Sequence, residues 1–218
     1  MNTIHTYTKQ GKFAATIALI LISLFVILVV LLHFLRTELS PLIRAISEYA
    51  TGRYGFLLTT AIIALSAGLA SMTVAVFRSQ NQSVLTQGEL VMLSVSSFSM
   101  LLSGIFPIEQ TIMTAISTVH IIASFLFSLL IMTIMLKSSI RLQRNGMLYG
   151  KNKLLLWIAI SSPILFILWL GGLLPLGLSG LGQRIYTLSW VSWLMLLGSG
   201  IRGNTFGKVL TQPNERIQ

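Results

Sequence analysis

Between Phe13 and Leu35 the chain runs for 23 residues with a single ionisable side chain, His33, near the far end. About 20 consecutive apolar residues cross the hydrocarbon core of a bilayer. A helix that is apolar on every side belongs in a membrane or a very large core. The stretch is therefore predicted to span a membrane. Lys9 and Lys12 precede it, as in a signal peptide, but the apolar run is too long and no small-residue cleavage site follows. A retained helix is expected.

The rest of the chain repeats the pattern. Of 218 residues, 54% are hydrophobic and 9% charged, against about 25% charged in a soluble domain. Six apolar blocks are predicted as spans: 13–35, 54–77, 90–106, 113–136, 154–174 and 184–201. The fold class is thus all-α, a polytopic bundle of six transmembrane helices. Residues 1–12 and 203–218 are expected as cytoplasmic ends, the latter without stable structure, and 13–202 as one membrane domain. The third block carries Ser94, Ser96, Ser97, Ser99 and Ser103. Such hydroxyls seek neighbouring helices or their own backbone, so this span should be shielded by the others. Ala64 with Gly68, and Ala67 with Ser71, have the small-xxx-small spacing that permits close helix approach.

Lysine and arginine in short loops report orientation. With the N-terminus inside, eleven lie on inner segments, and four, Arg36, Arg44, Arg53 and Arg184, lie on outer ones. Both termini should face the cytoplasm of a prokaryotic cell, across its inner membrane. The net charge of +10 is thereby absorbed by topology. No basic patch with interleaved aromatics suggests nucleic acid, and cysteine, with its thiolate chemistry, is absent.

The first outer loop holds the densest polar pattern. Ser40-Pro41 reads as a helix start and Gly52 as a stop. Leu42, Ile46, Tyr49 and Ala50 would share one face of a short interfacial helix between spans one and two. Arg44 and Glu48, four apart, can pair.

Other polar groups fall on the same side: His33, Glu109, Gln183, Arg184, and His120 about 10 Å into the fourth span at 1.5 Å per residue. Ionisable groups within spans usually face the bundle interior. Ser117, His120, Ser124 and Ser128 follow one helical face, which suits either a packing seam or a site. Tyr186, Trp190 and Trp193 form an aromatic stripe read chiefly as packing. Arginines with serine, tyrosine and histidine suit an anionic headgroup, because guanidinium pairs bidentately with phosphate or carboxylate. Arg36, Ser47, Glu48, Tyr49, Arg53, Tyr54, Gln183 and Arg184 are the candidate ligand-binding residues, and membrane lipids the expected partners. His120, His33 and Glu109 are the candidates for catalysis, in an alternative reading as a membrane enzyme acting on a lipid-linked substrate. No metal-ligand spacing and no phosphate-loop or dinucleotide glycine pattern is present. No cofactor is expected, a haem or metal held by His33 and His120 being the weaker alternative.

Several of these motifs, in order, resemble a known family. His33-Phe-Leu-Arg36, Ile46-Ser47-Glu48-Tyr49 with Gly52 and Tyr54-Gly55, Gly104-Ile-Phe-Pro107, the histidine of the fourth span and Gly182-Gln183-Arg184 are similar to the prokaryotic membrane family called domain of unknown function 998. The likeness covers roughly residues 13–202. That family often has Arg-Pro-Asp where this chain has Arg36-Thr37-Glu38, and an acid soon after the Phe-Pro, here Glu109. The resemblance implies a six-helix membrane domain and brings no activity with it.

Overall fold

The computed structural model describes residues 7–79, 84–108, 114–144 and 151–203. These form six long helices and, among the described residues, no strand: α1 (Lys9–Leu35), α2 (Gly55–Ser79), α3 (Gln87–Ile105), α4 (Ala115–Arg144), α5 (Lys151–Leu168) and α6 (Ser179–Arg202). Each helix packs on its sequence neighbours, and α6 returns against α1 to close a ring. Across the middle, α6 also reaches α2 and α4.

Hydrogen bonds fix the helices as alternately up and down. Thr8 at the start of α1 donates to Arg78 O at the end of α2, at 3.1 Å. Arg141, late in α4, bonds Glu89 in the first turn of α3, Nη1 to Oε1 at 3.0 Å. At the other end of the bundle, His120 in α4 meets the last turn of α3, with its Nδ1 2.9 Å from Ser103 O. There too, Arg184 of α6 reaches His33 of α1. This second end carries the loop between α1 and α2 and is called the first-loop end.

Among the described residues, five helices are long and apolar enough to cross a membrane: α1, α2, α3, α4, and α5 with the turn that follows it. The sixth, α6, has 24 residues but is less apolar, with Gln183, Arg184, Thr187, Ser192 and Ser199. It tolerates this because its other face, Tyr186, Trp190, Trp193, Leu194, Leu197 and Ile201, is buried in the bundle. The serines of α3 are satisfied as expected. Ser66 and Ser97 donate to each other's carbonyls, at 2.7 and 2.8 Å, tying α2 to α3, while exposed Ser94 bonds back to Leu90 O. Ala64 and Gly68 are buried, and Ile22 of α1 lies over Gly68. Ala67 of the second small pair faces outward instead.

Two boundaries differ from the sequence reading. α4 continues from the expected end at 136 to Arg144. The added turns are held by burial of Ser138, Ser139 and Leu142 and by the Arg141 pair, so Lys137, Arg141 and Arg144 lie on helix rather than in a loop. α5 ends at Leu168 and passes into a wide π turn, Trp169–Leu173, with Leu174 N donating to Trp169 O at 2.8 Å.

At the end opposite the first loop, Glu89 is buried and fully used. It caps α3 by accepting from Thr86 N at 2.8 Å, while Thr86 Oγ1 accepts from Glu89 N at 3.3 Å. Both carboxylate oxygens also accept from Arg141, which donates in addition to Val84 O at 2.9 Å. Breaking one side of a buried pair costs about 3–5 kcal/mol. Arg141 keeps some solvent contact, so Glu89→Gln is expected to destabilise by the lower figure, about 3 kcal/mol. Arg44→Ala, at an exposed pair, should cost under about 1 kcal/mol. Denaturant unfolding in detergent micelles compares the two. Equal losses would show that the α3–α4 lock is not the stabilising contact.

Candidate functional site

After α1 the chain turns at Arg36, whose N–H closes the helix on Leu32 O at 2.9 Å. Ser40 starts a single helical turn, with its carbonyl accepting from Ile43 N and Arg44 N. The turn does not grow into the expected helix from Ser40-Pro41. Ala45 is extended, and a 3-10 helix of five residues follows, Ile46–Ala50. The reason lies in the carbonyls that a continuing helix would need. Ile43 O accepts from Gly180 N at 3.1 Å, Leu42 O from Leu181 N at 2.9 Å and Arg44 O from Arg184 Nη1 at 2.8 Å. The start of α6 takes them. Ile46 and Tyr49 face inward, but Leu42 is exposed, so the apolar face is shorter than expected.

Local contacts complete the loop. Glu48 caps the 3-10 segment by accepting from Ala45 N at 2.8 Å and pairs with Arg44 at 3.1 Å, the i,i+4 spacing seen in the sequence. Gly52 stops it at φ 80, a left-handed conformation that suits glycine. The Arg36 guanidinium lies across Gly52, donating to Thr51 O and pairing with Glu38. That pairing holds the Glu38 carboxyl below its usual range.

Arg184 is the centre of the site. Its Nε donates to His33 Nε2 at 2.7 Å, and its Nη1 to Arg44 O and to Gly180 O at 2.9 Å. The guanidinium carbon lies 5.5 Å from the centroid of the Tyr49 ring, a cation–π distance. His33 in turn stacks obliquely on Tyr49 at 5.3 Å, and the Tyr49 hydroxyl donates to Leu39 O at 2.9 Å. The arginine fixes the histidine's tautomer. Nε2 must offer a lone pair to the guanidinium, so Nδ1 carries the proton and donates to Val29 O at 2.6 Å. Gln183 adds a further clamp, its Oε1 accepting from Ile46 N at 2.5 Å. Arg184 Nη2 is buried with no acceptor in good hydrogen-bond geometry among the described residues, and the Tyr49 hydroxyl lies beside the guanidinium. No carboxylate there lies within ion-pair distance of Arg184, and Glu48 acts on it only through space.

His120 occupies a separate network. Its Nδ1 lies 2.9 Å from Ser103 O and 3.0 Å from Phe106 O, so it is the protonated nitrogen, and Nε2 holds the lone pair of the neutral ring. Ser103 Oγ joins it at 3.2 Å and reaches Ser124 Oγ at 2.9 Å. The polar stripe of α4 thus faces α3. The two histidines share no partner, and both nitrogens of His33 are already used. Among the described residues no three histidine, cysteine or acidic side chains converge.

The structure therefore brings His33, Glu48, Tyr49, Gln183 and Arg184 together. Arg36 braces the loop beside them. Ser47 lies half-buried on the 3-10 segment, and Arg53 is exposed, 5.5 Å over the Tyr54 ring. Glu109 lies outside the described residues. What sequence reading missed is the part played by backbone: the carbonyls of Leu42, Ile43 and Arg44, and Gly180. A Cβ on Gly180 would lie 2.4 Å from both Arg44 O and Pro41 O. No side-chain pattern announces carbonyls.

Fold and site define a multi-pass integral membrane protein with a polar knot at one end. A family model described as a protein of unknown function, DUF998, matches residues 16–200. The chain belongs to that family. No curated protein and no solved structure matches it.

Gly180→Ala should push the first loop off α6. The chain has no cysteine, so a single one placed by Ser47→Cys reports loop opening. Its labelling rate is expected to rise about tenfold, equivalent to about 1.4 kcal/mol. Gly88→Ala, with open space around it, should leave the rate unchanged. A rate indifferent to Gly180→Ala would deny the close contact its role. Burial also pushes the Tyr49 phenol above its ordinary value of 10.0. A raised value means that the stabilisation is complete below the free phenol's range and is lost as pH rises through the folded value. The absorbance difference between wild type and Tyr49→Phe should show phenolate only above pH 10, with loop labelling increasing alongside it. Phenolate appearing below pH 10 would contradict this burial.

Proposed function

We propose that this protein sits in the inner membrane of a prokaryotic cell, with its first-loop end facing away from the cytoplasm, and binds an anionic amphiphile there. The orientation rests on the eleven-to-four distribution of basic residues. The ligand reading rests on one observation: the buried Nη2 of Arg184 lacks a well-placed acceptor, on a guanidinium with no carboxylate in contact. A charge taken out of water costs several kcal/mol unless it is paired. The missing counter-ion is a lipid-type phosphate or carboxylate, which Nη2 meets with two N–H groups. Exposed Arg53 and Arg44 draw the headgroup in. Arg36, Glu48, Tyr49 and Gln183 hold the loop that walls the site, with Ser47 and Tyr54 at its rim.

The test is native mass spectrometry of protein taken from nanodiscs of equal phosphatidylglycerol and phosphatidylcholine. Wild type is expected to retain phosphatidylglycerol preferentially. Arg184→Gln should lower that preference about tenfold or more, the worth of a charged hydrogen bond, and Arg53→Gln less. Arg184→Lys keeps the charge without the fork and should fall between, which separates binding from unfolding when melting temperatures are compared. An unchanged preference in Arg184→Gln ends this reading.

A second reading, a membrane enzyme acting on a lipid-linked substrate, is favoured by one detail. His120 keeps its Nε2 lone pair while Nδ1 is anchored by two carbonyls, the arrangement a general base needs. His33 has no free nitrogen. Lipid composition in cells carrying His120→Gln tests it: no substrate accumulating relative to wild type would remove it.

A further inference from the structure

At the first-loop end, α6 is tied to α1 by the bond from Arg184 Nε to His33 Nε2, at 2.7 Å. Deeper in the bundle the same two helices meet through apolar contacts, Phe25 on Trp190 at 5.9 Å and Leu19 over Gly198. Those contacts do not respond to pH, and the bond at the end does. The acceptor decides this. Elsewhere the arginines of this chain bond carboxylates and carbonyls: Arg141 on Glu89 and Val84 O, Arg36 on Glu38 and Thr51 O, Arg44 on Glu48. Such oxygens keep their lone pairs at any pH above the carboxylate range. An imidazole gives its lone pair up near about pH 6.5. His33 Nδ1 already donates to Val29 O at 2.6 Å, so an incoming proton has only Nε2 to take. The bond then becomes one N–H facing another, with two cations side by side.

The surroundings do not absorb that second charge. From the 3-10 segment, Tyr49 faces both partners, its ring 5.3 Å from His33 and 5.5 Å from the Arg184 guanidinium, and it stays a neutral phenol in this range. Glu48 is engaged by Ala45 N and Arg44, and Glu38 by Arg36. Arg53 lies over Tyr54 and adds positive charge. On α2, packed along α1, the one ionisable side chain is Arg78, at the opposite end of the bundle. His33 is half-buried in the last turn of α1, where a proton from the interface reaches it. We infer that the α1–α6 seam at the first-loop end is a proton-operated latch, closed while His33 is neutral and opened when its Nε2 is protonated. The first loop, bonded to α6 through the carbonyls of Leu42, Ile43 and Arg44, moves with that helix. The gap forms beside Tyr49, and the apolar contacts at Phe25 and Leu19 hold the deeper part together. The closed form excludes a proton. Closure is therefore complete above about pH 6.5 and weakens about tenfold per unit as pH falls below it.

The test is a distance across the seam. Nitroxides are placed by Phe34→Cys and Leu188→Cys, exposed positions on α1 and α6 of a chain with no cysteine of its own. Pulsed electron paramagnetic resonance then reads their separation in the full chain between about pH 8 and pH 5. Phosphatidylcholine nanodiscs carry no net charge, so the outcome does not depend on anion binding at Arg184. A single short distance is expected at the alkaline end. Below about pH 6.5 a longer one should grow in, its ratio to the first rising about tenfold per unit. His33→Gln offers Arg184 an oxygen that does not titrate and should hold the short distance throughout. His120→Gln should respond as the parent does. One unchanging distance in the parent overturns the latch, and so does the same pH response in His33→Gln. Nitrogen-15 NMR of the histidines needs no substitution at the seam. The His33 ring should turn to imidazolium over the range in which the distance changes, and a ring still neutral in an opened seam would overturn the latch as well.

Discussion

The architecture depends on how the start of α6 is held. This helix closes the ring, and it is the least apolar of the six. Its first two turns are fixed through Arg184 to His33 on α1 and through Gly180, Leu181, Gln183 and Arg184 to the backbone of the first loop. A guanidinium is suited to this task because its donors lie in a fixed plane and reach several acceptors at once. Here three donors go to a neutral imidazole and two carbonyls, none of which cancels the charge. The same interaction that closes the ring therefore leaves a half-buried cation without a carboxylate in contact.

The two ends of the bundle treat buried charge differently. At the end opposite the first loop, Arg141 meets Glu89 with both carboxylate oxygens engaged, and the carboxylate caps α3 as well. That arrangement is complete and has the character of a lock. At the first-loop end, Arg184 has comparable geometry, yet one nitrogen lacks a well-placed acceptor. A buried polar group left unsatisfied costs more than a satisfied one gains. The asymmetry sets a closed ion-pair lock at the Glu89 end against a cation without a carboxylate at the first-loop end.

Much of the fold was legible because it follows from apolar block length. Blocks near 20 residues gave the helices, and the serines of α3 were recognisable as groups that bond to a neighbouring helix or back to their own. The boundaries failed where tertiary contacts override local pattern. α4 runs on to Arg144 because Glu89, 52 positions earlier, holds Arg141 in register. Ser40-Pro41 has the chemistry of a helix start, yet the helix is diverted because Gly180 and Leu181 take the carbonyls it needs. The candidate site was legible in part. His33, Glu48, Tyr49, Gln183 and Arg184 could be grouped by side and by type. That Arg36 and Arg184 would brace the loop, rather than stand free as cations, could not, since it turns on backbone acceptors that carry no residue signature. The pairing of His33 with Arg184 was hidden for the same reason: 151 positions separate them.

The polarity of α6 gains its meaning from where the polar atoms point. At 3.6 residues per turn, Arg184 and Tyr186 lie about 200° apart on the helix. Arg184 turns toward α1 and the loop, and Tyr186 with Trp190 toward the bundle axis. The helix that departs furthest from membrane composition thus carries a guanidinium without a carboxylate in contact on one face and an aromatic packing face opposite, while the serines of α3 and the histidine of α4 find partners within the protein. Packing alone does not require this. A less polar residue at 184 would avoid an uncompensated charge. The uncompensated charge at Arg184 thus sits on the helix that closes the ring.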